Sequence, residues 1–312
     1  MINSNFKIAL ACGGTGGHIS PALAVKDEFK KIGINSIFLT DIRGSKSINS
    51  NFIHIINSGS PSISGFKKFY NILKIFFGVL QSIYFLNRNK IKLVIGFGGY
   101  TSVPIILAAW LLKIPTIIHE QNKVMGRANR LCSYFSRKIA LSFDILNDEN
   151  FLNKVVITGN PVRQKISMIG LKEYSPNKNK HIKLLIIGGS QGARIFSKLI
   201  PEAIQILPIK IKEKLFIYQQ SRFEDSITLT NYYKKIGICA EIKVFFKNID
   251  KYYEDCNLII SRSGASTISE ISAIGRPSIL IPLASSLDDH QSKNAQELVS
   301  SKAAVLINEK DL

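Results

Sequence analysis

Two stretches of this chain carry the same local pattern: a short apolar run, a cluster of glycines, and the start of a helical repeat. The first is Lys7 to Ala11 followed by Gly13-Gly14-Thr15-Gly16-Gly17; the second is Lys183 to Ile187 followed by Gly188-Gly189-Ser190-Gln191-Gly192. A strand that ends in a glycine turn and feeds a helix opens a doubly wound parallel sheet, whose strands need helical crossovers. Two such openings in one chain predict two α/β domains. Further strands are expected at Ser36 to Thr40, Leu93 to Gly96, Thr116 to His119 and Val155 to Thr158 in the first half. The second half has Leu215 to Gln219, Glu241 to Phe245, Leu258 to Ser261 and Ser278 to Ile281. The polar stretch Met168 to His181 reads as the connection. The expected division is therefore residues 1–163, a linker at 164–182, and 183–312. Ligands in such sheets bind beyond the carboxyl ends of the strands, so two facing domains are expected to enclose a cleft.

The charge of the chain narrows its partners. Forty-one basic and 22 acidic residues give +19 over 312 residues. Richness in Ile, Lys and Asn accounts for part of that as ordinary solvated surface. Residues 42–119 are more pointed, with nine Lys or Arg and no Asp or Glu. An acid-free block that interleaves cations with aliphatic runs suits an anionic membrane surface; it shows no nucleic-acid motif, and no nucleic-acid partner is expected. Within it, Phe66 to Lys92 has helical periodicity with two adjacent apolar stripes, one more than a core needs. The start of the chain has too short an apolar run for a signal peptide. The apolar stretch Val103 to Ile118 is broken by Pro104, Lys113 and Pro115, so no bilayer crossing is expected. Cys12, Cys132, Cys239 and Cys256 are scattered and read as reduced thiols.

Candidate chemistry gathers at the strand ends. Gly13 to His18 is not a dinucleotide fingerprint, since Ile19 stands where the last Gly belongs, and no Gly-Lys-Ser/Thr of a P-loop is present. His18 follows at a helix start, where the positive end of the helix dipole favours the neutral imidazole. His119-Glu120-Gln121-Asn122 puts four polar side chains after an apolar strand, which points to a pocket because idle burial of such groups is costly. Glu270 closes the segment Ser261 to Glu270 and is open to two readings, a ribose acceptor or a helix cap. Asp288-Asp289-His290 is too thin a set for a metal site, and none is expected.

Six segments in order complete the pattern: Gly-Gly-Thr-Gly-Gly-His (13–18), Gly-Phe-Gly-Gly-Tyr (96–100), His-Glu-Gln-Asn (119–122), Gly-Asn-Pro-Val-Arg (159–163), Gly-Gly-Ser-Gln-Gly-Ala (188–193) and Arg-Ser-Gly-Ala (262–265). Together they resemble the MurG family, which transfers N-acetylglucosamine (GlcNAc) from UDP-GlcNAc to lipid I, the undecaprenyl-diphosphate-linked MurNAc-pentapeptide, giving lipid II for peptidoglycan synthesis. The resemblance spans essentially the whole chain. It implies a GT-B fold of two Rossmann-like domains, with acceptor and membrane contacts in the first and UDP-GlcNAc in the second.

Residue by residue, the resemblance implies that Thr15, Gly16, Gly17 and Asn122 reach the sugar end of the donor, that Arg163 lies at the domain junction, and that Ser190 binds the diphosphate. Glu270 is then the ribose ligand, Phe246 meets uracil through its backbone, and Gln291 contacts the GlcNAc hydroxyls. Ile75, Phe76, Val79, Leu80 and Trp110 match the family's apolar membrane patch. Neither cofactor nor metal is implied, and the enzyme is expected at the cytoplasmic face of the inner membrane, peripherally bound. The chain departs from the pattern in three ways. Gln291-Ser292 replaces a pair of Gln, Lys247-Asn248 replaces acidic residues beside the uracil loop, and the family continues into further helices past the position of Leu312. His18 is the candidate base for an inverting transfer, with His119, Glu120 and Tyr100 as competitors. Two other readings are open: another GT-B UDP-sugar enzyme such as an epimerase, and an inactive protein that binds UDP-GlcNAc or lipid.

Overall fold

The structure, a computed structural model, describes residues 6–48, 53–59, 66–144, 149–175, 181–189 and 194–312. The chain divides into two units, Met1–Arg163 and Gln164–Leu312. The first contains β1 (Lys7–Ala11), α1 (Gly16–Lys31), β2 (Asn35–Thr40), α2 (Ile42–Ser47), β3 (Ile53–Ile55), α3 (Phe66–Arg88), β4 (Ile91–Gly96), α4 (Ser102–Leu111), β5 (Thr116–Glu120), α5 (Arg127–Ser133), β6 (Lys138–Leu141) and β7 (Val155–Ile157). Its seven strands are parallel in the order β3-β2-β1-β4-β5-β6-β7. Direction of winding reverses between β1 and β4, so the loops that leave those two strands flank the switch point where ligands bind in such sheets.

Strand periodicity sorts the core of this unit into two layers. Ile8 and Leu10 of β1 join Ile19, Ala22 and Phe38 on one face. Ala9 and Ala11 point to the other, where Val103, Ile105 and Ile106 of α4 pack. The small alanines let α4 approach the centre of the sheet closely.

The second unit contains α6 (Gln164–Ser167), β8 (Ile182–Ile187), α7 (Arg194–Gln205), α8 (Ile209–Lys212), β9 (Leu215–Gln220), α9 (Phe223–Lys235), β10 (Cys239–Lys243), α10 (Ile249–Asp255), β11 (Leu258–Ser261), α11 (Ala265–Ile274), β12 (Ser278–Leu280), α12 (His290–Ser300) and β13 (Ala304–Leu306). Its sheet runs β10-β9-β8-β11-β12-β13, again parallel, with its switch point between β8 and β11. Phe196, Ile200 and Ile204 of α7 pack with Leu229 and Tyr233 of α9 over Leu184 and Ile186. Each such buried side chain contributes about 1.5–3 kcal/mol.

Part of the stretch expected to link the domains is docked on the second unit. A Cβ on Gly170 would lie 1.9 Å from the Ala273 carbonyl oxygen, Tyr174 donates its hydroxyl to Asn257 O at 3.1 Å, and the Arg276 guanidinium lies 4.1 Å from the Tyr174 ring centre. Strand β10 also sits two residues earlier than expected. Val244 has left the ladder, and its carbonyl accepts from Gln220 Nε2 at 3.2 Å.

Helix α3 is the long apolar helix of the first unit. By length and composition Phe69–Arg88 is long and apolar enough to cross a membrane, whereas the sequence offers Val103 to Ile118 as its longest apolar stretch. One face of it is tied into the unit. Gly78, Ser82 and Leu86 are buried, and a Cβ at Gly78 would meet Asn57 O at 2.1 Å. Val79 and Ile83 pack on the same core. Val79, expected on the membrane patch, therefore faces inward. The outward row is Phe69, Ile72, Leu73, Phe76, Phe77, Leu80 and Tyr84, all exposed.

Candidate active site

The first glycine loop is built by contact with a second one. Gly13 N donates to Gly98 O at 3.0 Å, and a Cβ on Gly99 would stand 2.9 Å from Gly13 Cα. Gly98 and Gly99 both have positive φ, 93° and 78°, a conformation that glycine adopts without strain. The imidazole of His18 lies against this junction: a Cβ on Gly98 would be 3.1 Å from its Cδ2 and 3.2 Å from its Nε2. Thr15 is the N-cap of α1, yet its hydroxyl does not cap the helix. Thr15 Oγ1 instead meets His18 Nδ1 at 2.9 Å. Burial lowers the His18 pKa from its ordinary 6.5, against the opposing pull of the Glu120 and Asp41 carboxylates. The ring is therefore neutral at pH 7, half-buried at the mouth of the loop.

Asp41, at the end of β2, ties three loops together. Its Oδ1 accepts from Gly44 N at 2.8 Å, and its Oδ2 accepts from Thr101 Oγ1 at 3.3 Å and Arg43 Nη2 at 3.1 Å. A Cβ on Gly14 would collide with that carboxylate at 2.6 Å.

His119-Glu120-Gln121-Asn122 is mainly a scaffold, not the open pocket lining that its polarity predicts. His119, Glu120 and Gln121 are buried. His119 Nε2 lies 3.1 Å from Gly159 O, and Gln121 Nε2 lies 3.1 Å from His119 Nδ1. The ring thus donates to the carbonyl and accepts from the amide, so both nitrogens are engaged in the neutral form. Burial lowers its pKa, with the Gly159 carbonyl and Glu120 acting in the opposite sense. Glu120 accepts four hydrogen bonds: Asn122 N at 2.9 Å and Asn122 Nδ2 at 3.1 Å on Oε1, Gly126 N at 3.0 Å and Asn129 Nδ2 at 2.8 Å on Oε2. These bonds fold the 120–129 loop and orient Asn122, which is the half-exposed member of the set. Tyr100 packs partly buried against the same core. Arg163 is half-buried at the end of the first unit.

In the second unit, Gly188 N donates to Gln220 Oε1 at 3.2 Å and Gly189 has φ 83°; Ser190 lies outside the described residues. Glu270 is the sixth residue of α11, too far along for a capping role. Its carboxylate is buried and accepts from the hydroxyl of Tyr253 at 2.9 Å. The Phe246 ring is buried against Tyr252, with centroids 4.4 Å apart. Gln291 Oε1 accepts from Leu283 N at 3.0 Å. Asp289 Oδ1 accepts from Ser292 Oγ at 2.7 Å.

Both halves match known sequence patterns: residues 8–141 the glycosyltransferase family 28 N-terminal domain, and residues 183–312 the glycosyltransferase family 28 C-terminal domain. Proteins of Brucella abortus and Brucella canis named UDP-N-acetylglucosamine--N-acetylmuramyl-(pentapeptide) pyrophosphoryl-undecaprenol N-acetylglucosamine transferase are each 39% identical over 98% of this chain and 82% of their own length. A crystal structure of Acinetobacter baumannii MurG aligns with a TM-score of 0.75 at 26% identity, covering 98% of this chain and 86% of that one. The chain belongs to the MurG family. The UDP-GlcNAc 2-epimerase of Neisseria meningitidis, solved bound to UDP-GlcNAc, is 15% identical with a TM-score of 0.65 over 97% of this chain and 87% of that one, and shares the fold alone.

With the MurG fold in place, the contribution of the sequence motifs is plain. Gly13 to His18 and Gly96 to Tyr100, far apart in sequence, meet at one switch point. Asp41, Thr101 and Asn129 escaped the sequence analysis. Each sits outside a glycine motif, and each is recruited by a hydrogen bond that only the packed loops reveal.

Proposed function

We propose that this chain, as a MurG-family enzyme, transfers GlcNAc from UDP-GlcNAc to the C4 hydroxyl of the MurNAc group of lipid I with inversion at C1. The acceptor oxygen bonds to C1, the C1–O bond to UDP breaks with its electron pair leaving on UDP, and the acceptor proton passes to a base. The observation that carries the assignment of that base is the Thr15–His18 contact. In the tautomer whose Nδ1–H donates to Thr15 Oγ1, Nε2 keeps its lone pair, and the lowered pKa keeps the ring neutral and ready to accept. Two of the three competitors are otherwise engaged, His119 by two partners and Glu120 by four donors; Tyr100 stays as the alternative.

Thr15, Gly16, Gly17 and Asn122 are assigned to substrate on the first unit, together with Arg163. On the second unit Ser190 is assigned to the donor diphosphate, Glu270 to the ribose, the Phe246 backbone to uracil and Gln291 to the GlcNAc hydroxyls. The buried Tyr253 bond supports the ribose role, since it holds the Glu270 carboxylate in one orientation. Backbone N–H groups of the Gly188–Gly192 loop stabilise the charge that develops on UDP.

The outward row of α3 and the exposed Trp110 are assigned to the cytoplasmic face of an anionic membrane, where lipid I is presented. Trp110 is 51% exposed and Phe76 55%, far more than a helix buried on both sides allows. The acid-free cations around them add electrostatic attraction. The test is transfer of labelled GlcNAc from UDP-GlcNAc to a short-chain lipid I analogue by the purified chain. A β-linked disaccharide-lipid is expected; intact donor binding without product would overturn the assignment.

A further inference from the structure

Loop 281–284 follows β12 at the carboxyl edge of the second sheet, and each of its four residues is held by a polar partner. Arg262, one residue beyond β11, is buried with its guanidinium 5.2 Å from the Phe196 ring centre. Its Nη1 donates to Ile281 O at 3.1 Å and to Pro282 O at 3.0 Å. Leu283 N donates to Gln291 Oε1 at 3.0 Å. Ala284 N donates to Glu309 Oε2 at 2.8 Å, and the other oxygen of Glu309 accepts from Arg262 Nη2 at 2.8 Å. One carboxylate therefore closes the frame on both sides. It neutralises the buried arginine that grips the first half of the loop, and it takes the free N–H of the second half.

The frame has a direct consequence for Gln291. Because Leu283 N is a donor, the amide oxygen must face it, so the carboxamide is turned with its Nε2 away from the loop; that group donates to no described residue. Any shift of the 283–284 backbone rotates or releases this donor.

We propose that Glu309 is a positioning residue for the donor sugar, holding loop 281–284 so that the Gln291 amide is presented to the GlcNAc hydroxyls. This rests on the assignment of Gln291 to GlcNAc. Glutamine cannot replace Glu309, because both of its partners are donors and an amide offers one acceptor; either Arg262 or Ala284 loses its bond. The Arg262 hydrogen bond, helped by the Ala284 N–H, lowers the Glu309 pKa against the opposing effect of burial, so the carboxylate is ionised and the frame is intact at neutral pH.

The experiment compares UDP-GlcNAc and UDP by titration calorimetry for the full chain, Glu309→Gln, Gln291→Ala and the double variant. Loss of one charge-assisted hydrogen bond is expected to weaken UDP-GlcNAc binding by about tenfold, with UDP binding unchanged, the KM for UDP-GlcNAc raised, and kcat on saturating donor retained. In the Gln291→Ala background, Glu309→Gln is expected to change nothing further. Equal losses for UDP and UDP-GlcNAc, or an undiminished effect in that background, overturn the proposal. If Gln291→Ala alone leaves the ratio of the two affinities at the wild-type value, the Gln291 assignment is what has failed, and the positioning role falls with it. Should Glu309→Gln unfold at the assay temperature, Glu309→Asp gives the same readout, since it keeps the charge for Arg262 but falls short of Ala284 N.

Discussion

Replacing Glu120 with Gln removes a single oxygen's worth of acceptor and tests the scaffold of the first unit directly. In the wild type, four donors converge on a buried carboxylate. A glutamine in the same place has one oxygen for two of them and an NH2 that confronts the other two. Two donors lose this acceptor whichever way the amide turns: the part-buried Asn122 N and Nδ2, or Gly126 N and Asn129 Nδ2, of which the latter keeps its bond to His119 O at 3.0 Å. Partial solvent access and the retained His119 bond reduce the deficit to about one unsatisfied donor, so the expected loss is roughly 1–3 kcal/mol of unfolding free energy. Urea unfolding monitored by circular dichroism reads that loss as a lower midpoint at unchanged slope. Transfer activity reads a second effect. The Glu120 carboxylate raises the His18 pKa against the lowering by burial, so its removal should move the acid limb of kcat/KM to lower pH. A variant within 0.5 kcal/mol of wild type, by about the scatter of ordinary surface substitutions, would refute the scaffold argument, and an acid limb that moved upward would refute the electrostatic one.

Three further outcomes follow from the same geometry. Wild-type kcat/KM should stay level as pH falls through 6.5 and decline only lower, because burial depresses the His18 pKa and the base is lost on protonation; a decline centred above 6.5 would exclude His18. Gly98→Ala puts a methyl 3.1 Å from the His18 ring at φ 93°. Backbone strain of about 1–3 kcal/mol should lower the melting temperature, and displacement of the ring should cut kcat at least tenfold, by about the sensitivity of reactions to misplaced groups. Phe76→Glu with Leu80→Glu should abolish sedimentation with phosphatidylglycerol vesicles while the fold is retained. Val79→Glu should instead destabilise the unit, because Val79 packs on the core; the reverse pattern would show that the two faces of α3 have been misassigned.

Much of this architecture is legible in the chain, for reasons that separate cleanly from what is not. Apolar strands at the sheet centres announce themselves because both faces are covered, as in Lys7–Ala11 and Leu258–Ser261. The edge strands β3 and β13, of three residues each, do not, since a run that short has no readable period. Glycine loops mark the switch points because only glycine fits where Gly13 and Gly99 touch. Polarity alone is a poorer guide. His119, Glu120 and Gln121 look like a pocket in sequence and are a hydrogen-bonded brace in space. The family resemblance put Val79 on the outer patch, and helical spacing could not correct it, because two adjacent apolar stripes on α3 do not reveal which one meets the core. The Arg262–Glu309 pair spans 47 positions, a separation that no local pattern encodes.

The most direct test of the account is the effect of His18→Ala on the full chain, with single-turnover transfer to a lipid I analogue and UDP-GlcNAc binding measured on the same preparation. Loss of a positioned general base predicts a rate lower by about 10²–10⁴-fold with donor affinity close to wild type. A rate near wild type would contradict the account and return the role of base to the residues now read as scaffold.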